Sequence, residues 1–196
     1  MPSQADIVST LIEVTAPSAE PVTTAEVKAF LRVDGSDEDT LIAALAVAAR
    51  DAVEADTGRS LITTTWDYTL DRWPTARRVA VPRVPLVSVT SITTYDVDNA
   101  ATTFGAADYR ADTAHGVIAL DDGASWPTDL RAVAGIVIRY VAGYGAAGSD
   151  VPQGLRMAIL RRAAYDFEHR ASADGRDAVE AAYLEQIAPY RERGVA

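Results

Sequence analysis

The sequence predicts an α+β protein, with a helical core of four helices drawn from both ends of the chain and an antiparallel β-sheet or small barrel inserted between them. Three observations carry that prediction. Apolar residues between positions 24 and 56 recur with the 3.6-residue period of helices. From Leu61 to Tyr144 the period changes to two, in β-branched and aromatic runs broken by Pro, Gly, Asp and Asn. After Pro152 a helical period returns. The division is therefore 1–60, an N-terminal helical segment; 61–150, the β insert; and 151–196, the C-terminal helices and tail, as one structural domain with an insert.

The first helix is expected over about 24–33. Thr23 and Glu26 form a capping box, and Val22 and Val27 occupy the two positions of a hydrophobic staple. Val27, Phe30 and Leu31 make its apolar stripe, and Asp34-Gly35 is the expected stop. Ser36 then reads as the N-cap of a second helix, with Asp37, Glu38 and Asp39 in a first turn that favours anions. Leu41, Ile42, Leu45, Ala48, Ala49, Ala52 and Val53 carry its period to Asp56, and Gly58 ends it. The many alanines on this helix permit close approach by a neighbour, inside the subunit or across an interface.

Strands are expected in LITTTWDYTLDRW, RRVAVP, PLVSVTSITTYD, TTFGAADYRAD, HGVIALD and LRAVAGIVIRYV. Val97-Asp98-Asn99-Ala100 reads as a hairpin tip. Short loops between successive strands imply antiparallel pairing. Pro82 and Pro85 mark an edge or a bulge. A helix over about 152–170 places Leu155, Ile159, Ala163 and Phe167 on one stripe. A last helix, Ala178–Ile187, turns Val179, Ala182 and Tyr183 inward before Pro189 stops it and a polar tail begins.

Bulk composition narrows the function classes. The chain has 196 residues, 48% apolar and 23% charged, with no cysteine, which removes disulfides, thiolate metal sites and Cys nucleophiles. No apolar run approaches the roughly 20 residues of a membrane helix, and the N-terminus lacks signal-peptide character, so a cytoplasmic product is expected. The net charge is −10, with 11 acids and 4 bases in residues 1–60, 10 and 7 in 61–150, and 7 and 7 in 151–196. Such a chain gains nothing from counterion release on DNA.

Each apparent motif has a plain structural reading. Gly143-Tyr144-Gly145-Ala146-Ala147-Gly148 spells G-x-G-x-x-G, but Pro152 starts the helix several residues too late and no strand follows it, so the βαβ unit of a dinucleotide site is missing. Neither His115 nor His169 has a His or carboxylate at i+4 for a metal-ligand pair, and no G-x-S-x-G elbow occurs, although the members of a triad need only meet in space. Asp121-Asp122 and Asp37-Glu38-Asp39 lack the alternation of a calcium loop. Trp66, Trp73 and Trp126 read as core, and Arg77, Arg78 and Arg83 as one solvated strand face or a contact with an acidic neighbour. No catalytic, cofactor or metal residue is assigned.

Beyond these readings, PVTTAEVKAFLRVD and DEDTLIAALAVAARDAVEADTGRSLITTTWDYTLDRWP resemble the opening of the head–tail connector (adaptor) proteins of tailed bacteriophages and gene transfer agents. VPRVPLVSVTSITTYD, Trp126-Pro127, VIRYVAGYG and VPQGLRMAIL continue the resemblance in the same order, from about Pro21 to Tyr190. The resemblance implies a particle-neck protein made in the bacterial cytoplasm, in a ring of about twelve copies. That ring would join the portal protein to the next neck or tail protein, a stopper or tail terminator, and continue the channel through which DNA passes without specific binding. The family carries no catalytic motif, so no enzyme activity or cofactor is expected.

Within that frame Tyr190, Arg191 and Arg193 are expected to contact the portal. Asp96, Asp98 and Asn99, with Arg77 and Arg78, are expected to face the tail side or a neighbouring subunit. The rival readings are another tail-completion protein, or a small-molecule-binding or enzymatic domain that uses the β insert.

Overall fold

A computed structural model describes residues 7–169 and 176–191, with side chains described from residue 180 onward in the last helix. Among the described residues two compact units emerge, one from 7–16 and 63–143, the other from 17–62, 144–169 and 176–191. The described elements are α+β, with four helices and two open antiparallel sheets; neither sheet closes into a barrel.

The helical unit holds α1 (Thr24–Leu31), α2 (Asp39–Thr57), α3 (Gln153–Glu168) and α4 (Arg176–Ile187). Helices from both ends of the chain pack together, α1 and α2 against α3, and α3 against α4. Val22, Val27, Ile42, Val53, Leu155, Ile159 and Ile187 are fully or almost fully buried in the shared core. The capping box forms as the sequence predicts: Thr23 Oγ1 accepts from the Glu26 N–H at 3.2 Å, and Glu26 Oε2 accepts from the Thr23 N–H at 2.8 Å. The staple residues Val22 and Val27 are buried in the same core.

Several local details differ from the sequence reading; Phe30, read on the apolar stripe of α1, is exposed. α1 ends at Leu31 because Arg32 takes a left-handed conformation (φ 57°), ahead of Asp34-Gly35. α2 begins at Asp39, without Ser36 as its side-chain cap. Lys28 bridges this junction, its ammonium donating to the Gly35 carbonyl and to Asp39 Oδ1 (2.5 Å) at the first residue of the helix. On α4, Tyr183 and Ile187 are buried but Ala182 is exposed, so the inward stripe is shifted by part of a turn; the Val179 side chain lies outside the described residues. Gly58 ends α2 as expected, left-handed at φ 69°, its N–H on the Glu54 carbonyl.

The β unit holds β1 (Ser9–Glu13), β2 (Thr64–Leu70), β3 (Arg78–Ala80), β4 (Leu86–Tyr95), β5 (Ala101–Thr103), β6 (Tyr109–Asp112), β7 (Val117–Leu120) and β8 (Ile136–Ala142). One sheet runs β1-β2-β8-β4-β5 and the other β3-β7-β6. β8, the last strand in sequence, is central because its alternating Ile136, Ile138, Tyr140 and Ala142 are all buried. β1 has no counterpart in the sequence reading; it pairs with β2 from Ser9↔Leu70 to Glu13↔Trp66. Pro82 and Pro85 lie between β3 and β4 and not in a strand, while the register shifts fall within β4, at Leu86/Ser88 and Val89/Ser91. Trp73 and Trp126 stack at 4.1 Å, and Phe104 packs on Trp126 and Tyr109, pinning the loops around β5 and β6.

Candidate assembly surfaces

The glycine-rich turn is a packing device. β8 ends at Ala142, and a short 3-10 turn, Gly148–Asp150, precedes α3. A methyl group on Gly145 would stand 2.2 Å from Asp150 Oδ2, and one on Gly148 would stand 2.7 Å from the Pro21 carbonyl oxygen. Asp150 already receives the Ala147 N–H at 3.0 Å. The glycines thus admit carboxylate and backbone at close range, and the turn's own groups fill the space a phosphate would need.

The two histidines are each tied locally. His115 Nδ1 lies 2.7 Å from Asp112 Oδ2 on an exposed turn, which with the Ala114 and His115 N–H groups holds the Asp112 carboxyl below the usual carboxylate range. His169 Nδ1 lies 3.0 Å from the Tyr165 carbonyl, its ring stacked on Tyr165. Asp121 is paired with Arg110 in a two-point contact at 2.9 and 3.1 Å. Among the described residues no group of three His, Asp or Glu side chains converges to hold a metal ion, and no helix is long and apolar enough to cross a membrane.

A cleft of about 670 Å³ opens between α1, α3 and α4 over Phe30, Arg162, Tyr165, Asp166 and Tyr183. Two of its polar groups serve neighbours, Arg162 bonding Asp166 at 3.2 Å and the Tyr183 hydroxyl donating to Asp56 at 2.8 Å, while the buried Tyr165 hydroxyl has no hydrogen-bond partner among the described residues. Burial, then that carboxylate, pushes the Tyr183 phenol well up.

The sequence-nominated contact residues fall at separate places. Asp96 and Asn99 build the β4–β5 turn: Asp96 Oδ1 accepts from the Asp98 and Ala100 N–H groups at 2.9 and 2.8 Å, and Asn99 takes φ 63°. Asp98 and Asn99 are exposed, and Arg131 donates to Asn99 Oδ1 at 3.2 Å. Arg77 donates to the Ala124 and Asp121 carbonyls, and Arg78 is exposed on β3, so the two cations stand on the three-stranded sheet and not at the hairpin. Arg83 lies over the Trp66 ring.

At the other end, Tyr190 is half-buried. Arg59 Nε donates to its carbonyl at 2.5 Å while Nη1 donates to the Tyr144 hydroxyl at 3.0 Å, and its ring lies over Gly154, where an added methyl would stand 2.6 Å from the hydroxyl. Tyr190 is therefore held in the helical unit by Arg59 and by its packing on Gly154. Arg191 is exposed beyond it, and Arg193 lies outside the described residues.

Two further surfaces, weighed less in the sequence, carry exposed apolar side chains. One is the outward side of α2, with Leu41 and Val47. The other is the solvent side of β1, with Val8, Ile12 and Val14 beside it. The surplus of apolar residues on α2 was the sequence signal for the first; β1 is too short to give one.

Residues 20–176 match the family model described as "Head completion protein". No curated protein sequence matches the chain. Among solved structures, the chain is similar to one from the neck of an empty gene transfer agent (GTA) particle computed with C6 symmetry. That pair is 28% identical over 95% of this chain and 97% of the other, with a TM-score of 0.80. It is also similar to a chain of the virion of a native GTA particle (27% identical, 95% and 97% covered, TM-score 0.79). A third match is a chain from the neck of a native GTA particle computed with C12 symmetry (28%, 95% and 97%, TM-score 0.75).

Proposed function

The chain belongs to the head completion protein family, and from that premise we propose that it is a structural subunit of the neck of a phage or GTA-like particle. The observation that carries this is mutual coverage: 95% of this chain corresponds to 97% of a chain seated in a particle neck. Its working state is an oligomeric ring, in keeping with the twelvefold neck in which the similar chain sits.

Within the neck, the ring lies between the portal and the next neck or tail protein and continues the path of the DNA. The net charge of −10 suits that place, since an acidic wall repels phosphates and lets a duplex slide. Portal contact falls to the C-terminal segment at Tyr190, with Arg191 and Arg193 as its cations, and Tyr190 is held by Arg59 and packed on Gly154. The hairpin tip at Asp96, Asp98 and Asn99, and the cations Arg77 and Arg78, face the tail side or a neighbour.

Co-sedimentation with purified portal rings tests the portal contact. The double change Arg191→Glu with Arg193→Glu should lower the bound fraction at least tenfold while leaving the melting temperature where it was. Unchanged co-sedimentation would remove the tail from the portal interface.

A further inference from the structure

We propose that the outward face of α2, centred on Leu41, Ala44, Val47 and Ala48, is one side of the contact between neighbouring copies of this chain. The proposal rests on the ring reading above and deepens it.

α2 carries more apolar residues than its own core uses. Ile42, Ala46, Ala49 and Val53 face inward and are buried. On the opposite side Leu41 is 38% and Val47 36% exposed, and Ala44, Ala48 and Ala55 are also exposed. A helix that meets water normally shows charged side chains there, and Lys or Glu would suit the helix almost as well as Ala. From Thr40 to Ala55 the exposed positions include one charged residue, Asp51, and both Nε and Nη2 of Arg50 hold it, at 3.1 and 2.8 Å. Ala44 and Ala48, four residues apart, leave a shallow groove flanked by Leu41 and Val47, the shape that accepts a close-packed ridge.

The occupant is a second copy, on two grounds. Chains of net charge −10 repel each other, and the added cost is least where a contact brings no unpaired acid close; the one exposed acid of this face, Asp51, is bonded by Arg50. In a rotational ring each subunit meets its neighbours through two different surfaces, so the α2 face packs against another region of the next copy.

The chain has no cysteine, so Ala48→Cys supplies a unique thiol. In particles assembled with this variant, maleimide should label position 48 at least tenfold more slowly than in the free chain. With p-benzoylphenylalanine placed at position 41, irradiation of particles should give a product of two copies of this chain. Equal labelling in both states, or a cross-link to a different particle protein, overturns the proposal while the neck role stands. A chain missing from otherwise assembled particles overturns the neck role itself.

Discussion

Gly148 can be replaced in thought by alanine to measure how tightly the turn before α3 is built. The added methyl would meet the Pro21 and Glu20 carbonyl oxygens at 2.7 and 2.9 Å, both backbone atoms that cannot swing aside. We expect Gly148→Ala to cost about 2 kcal/mol, the usual size of overpacking, read as a lower urea midpoint with an unchanged slope. Glu26 offers a test of opposite kind. The Thr23 N–H is the main influence holding its carboxyl below the usual carboxylate range, outweighing the cost of burial, with the Thr23 hydroxyl and Arg156 acting in the same direction. The folded state therefore favours the ionised form, and the stabilisation is present above the usual carboxylate range and lost as pH falls through the lowered value. Because the group is largely exposed, the advantage over Glu26→Gln should be only about 0.5 kcal/mol at pH 7. It should vanish once pH has fallen below that lowered value, and a gap that widened in acid would contradict the assignment.

Among the elements, α2 depends on an ion-pair cluster as well as on its apolar stripe. Arg50 is almost fully buried and donates to Glu20 at 2.8 Å, tying the segment before α1 to the middle of α2. Burial raises the Glu20 carboxyl despite that cation, so removing Arg50 leaves a poorly solvated acid beside Asp51. Arg50→Met should cost about 3 kcal/mol, and adding Glu20→Gln should recover about a third of it, in a denaturation cycle. How far such elements were legible varied with how local their signals are. The α1 cap was readable because Thr23, Glu26, Val22 and Val27 lie within six positions and interact with one another. The start of α2 was not, because the contact made there, from Lys28 to Asp39, spans eleven residues. β1 escaped because five residues with only Leu11 turned inward give no alternation to read, and their partners begin at Trp66. The two faces of α2 could be seen as an excess of apolar residues, but which face is the core required α3 to be in place.

For the whole molecule, charge sets the conditions of assembly. The structure keeps the acids of α2 and of the sheet quiet by pairing: Asp51 with Arg50, Asp67 with Arg139 at 2.7 Å through two bonds, Asp121 with Arg110. Those pairs neutralise patches; they do not change the net charge of −10 carried by each copy. Copies brought together in a ring must overcome mutual repulsion that is screened over about 10 Å at 0.1 M salt and about 3 Å at 1 M. Apolar contact of the kind offered by Leu41 and Val47 is not weakened by that screening. Self-association of the purified chain should therefore strengthen as sodium chloride rises from about 0.05 M to about 0.5 M. Sedimentation velocity at fixed protein concentration reads the change directly, as a shift toward larger species. Ala48→Glu places a new charge in the proposed contact and should abolish the shift without lowering the melting temperature. If association instead weakened with salt, the copies would be held by ion pairs, and the uncharged face of α2 would not be where they meet.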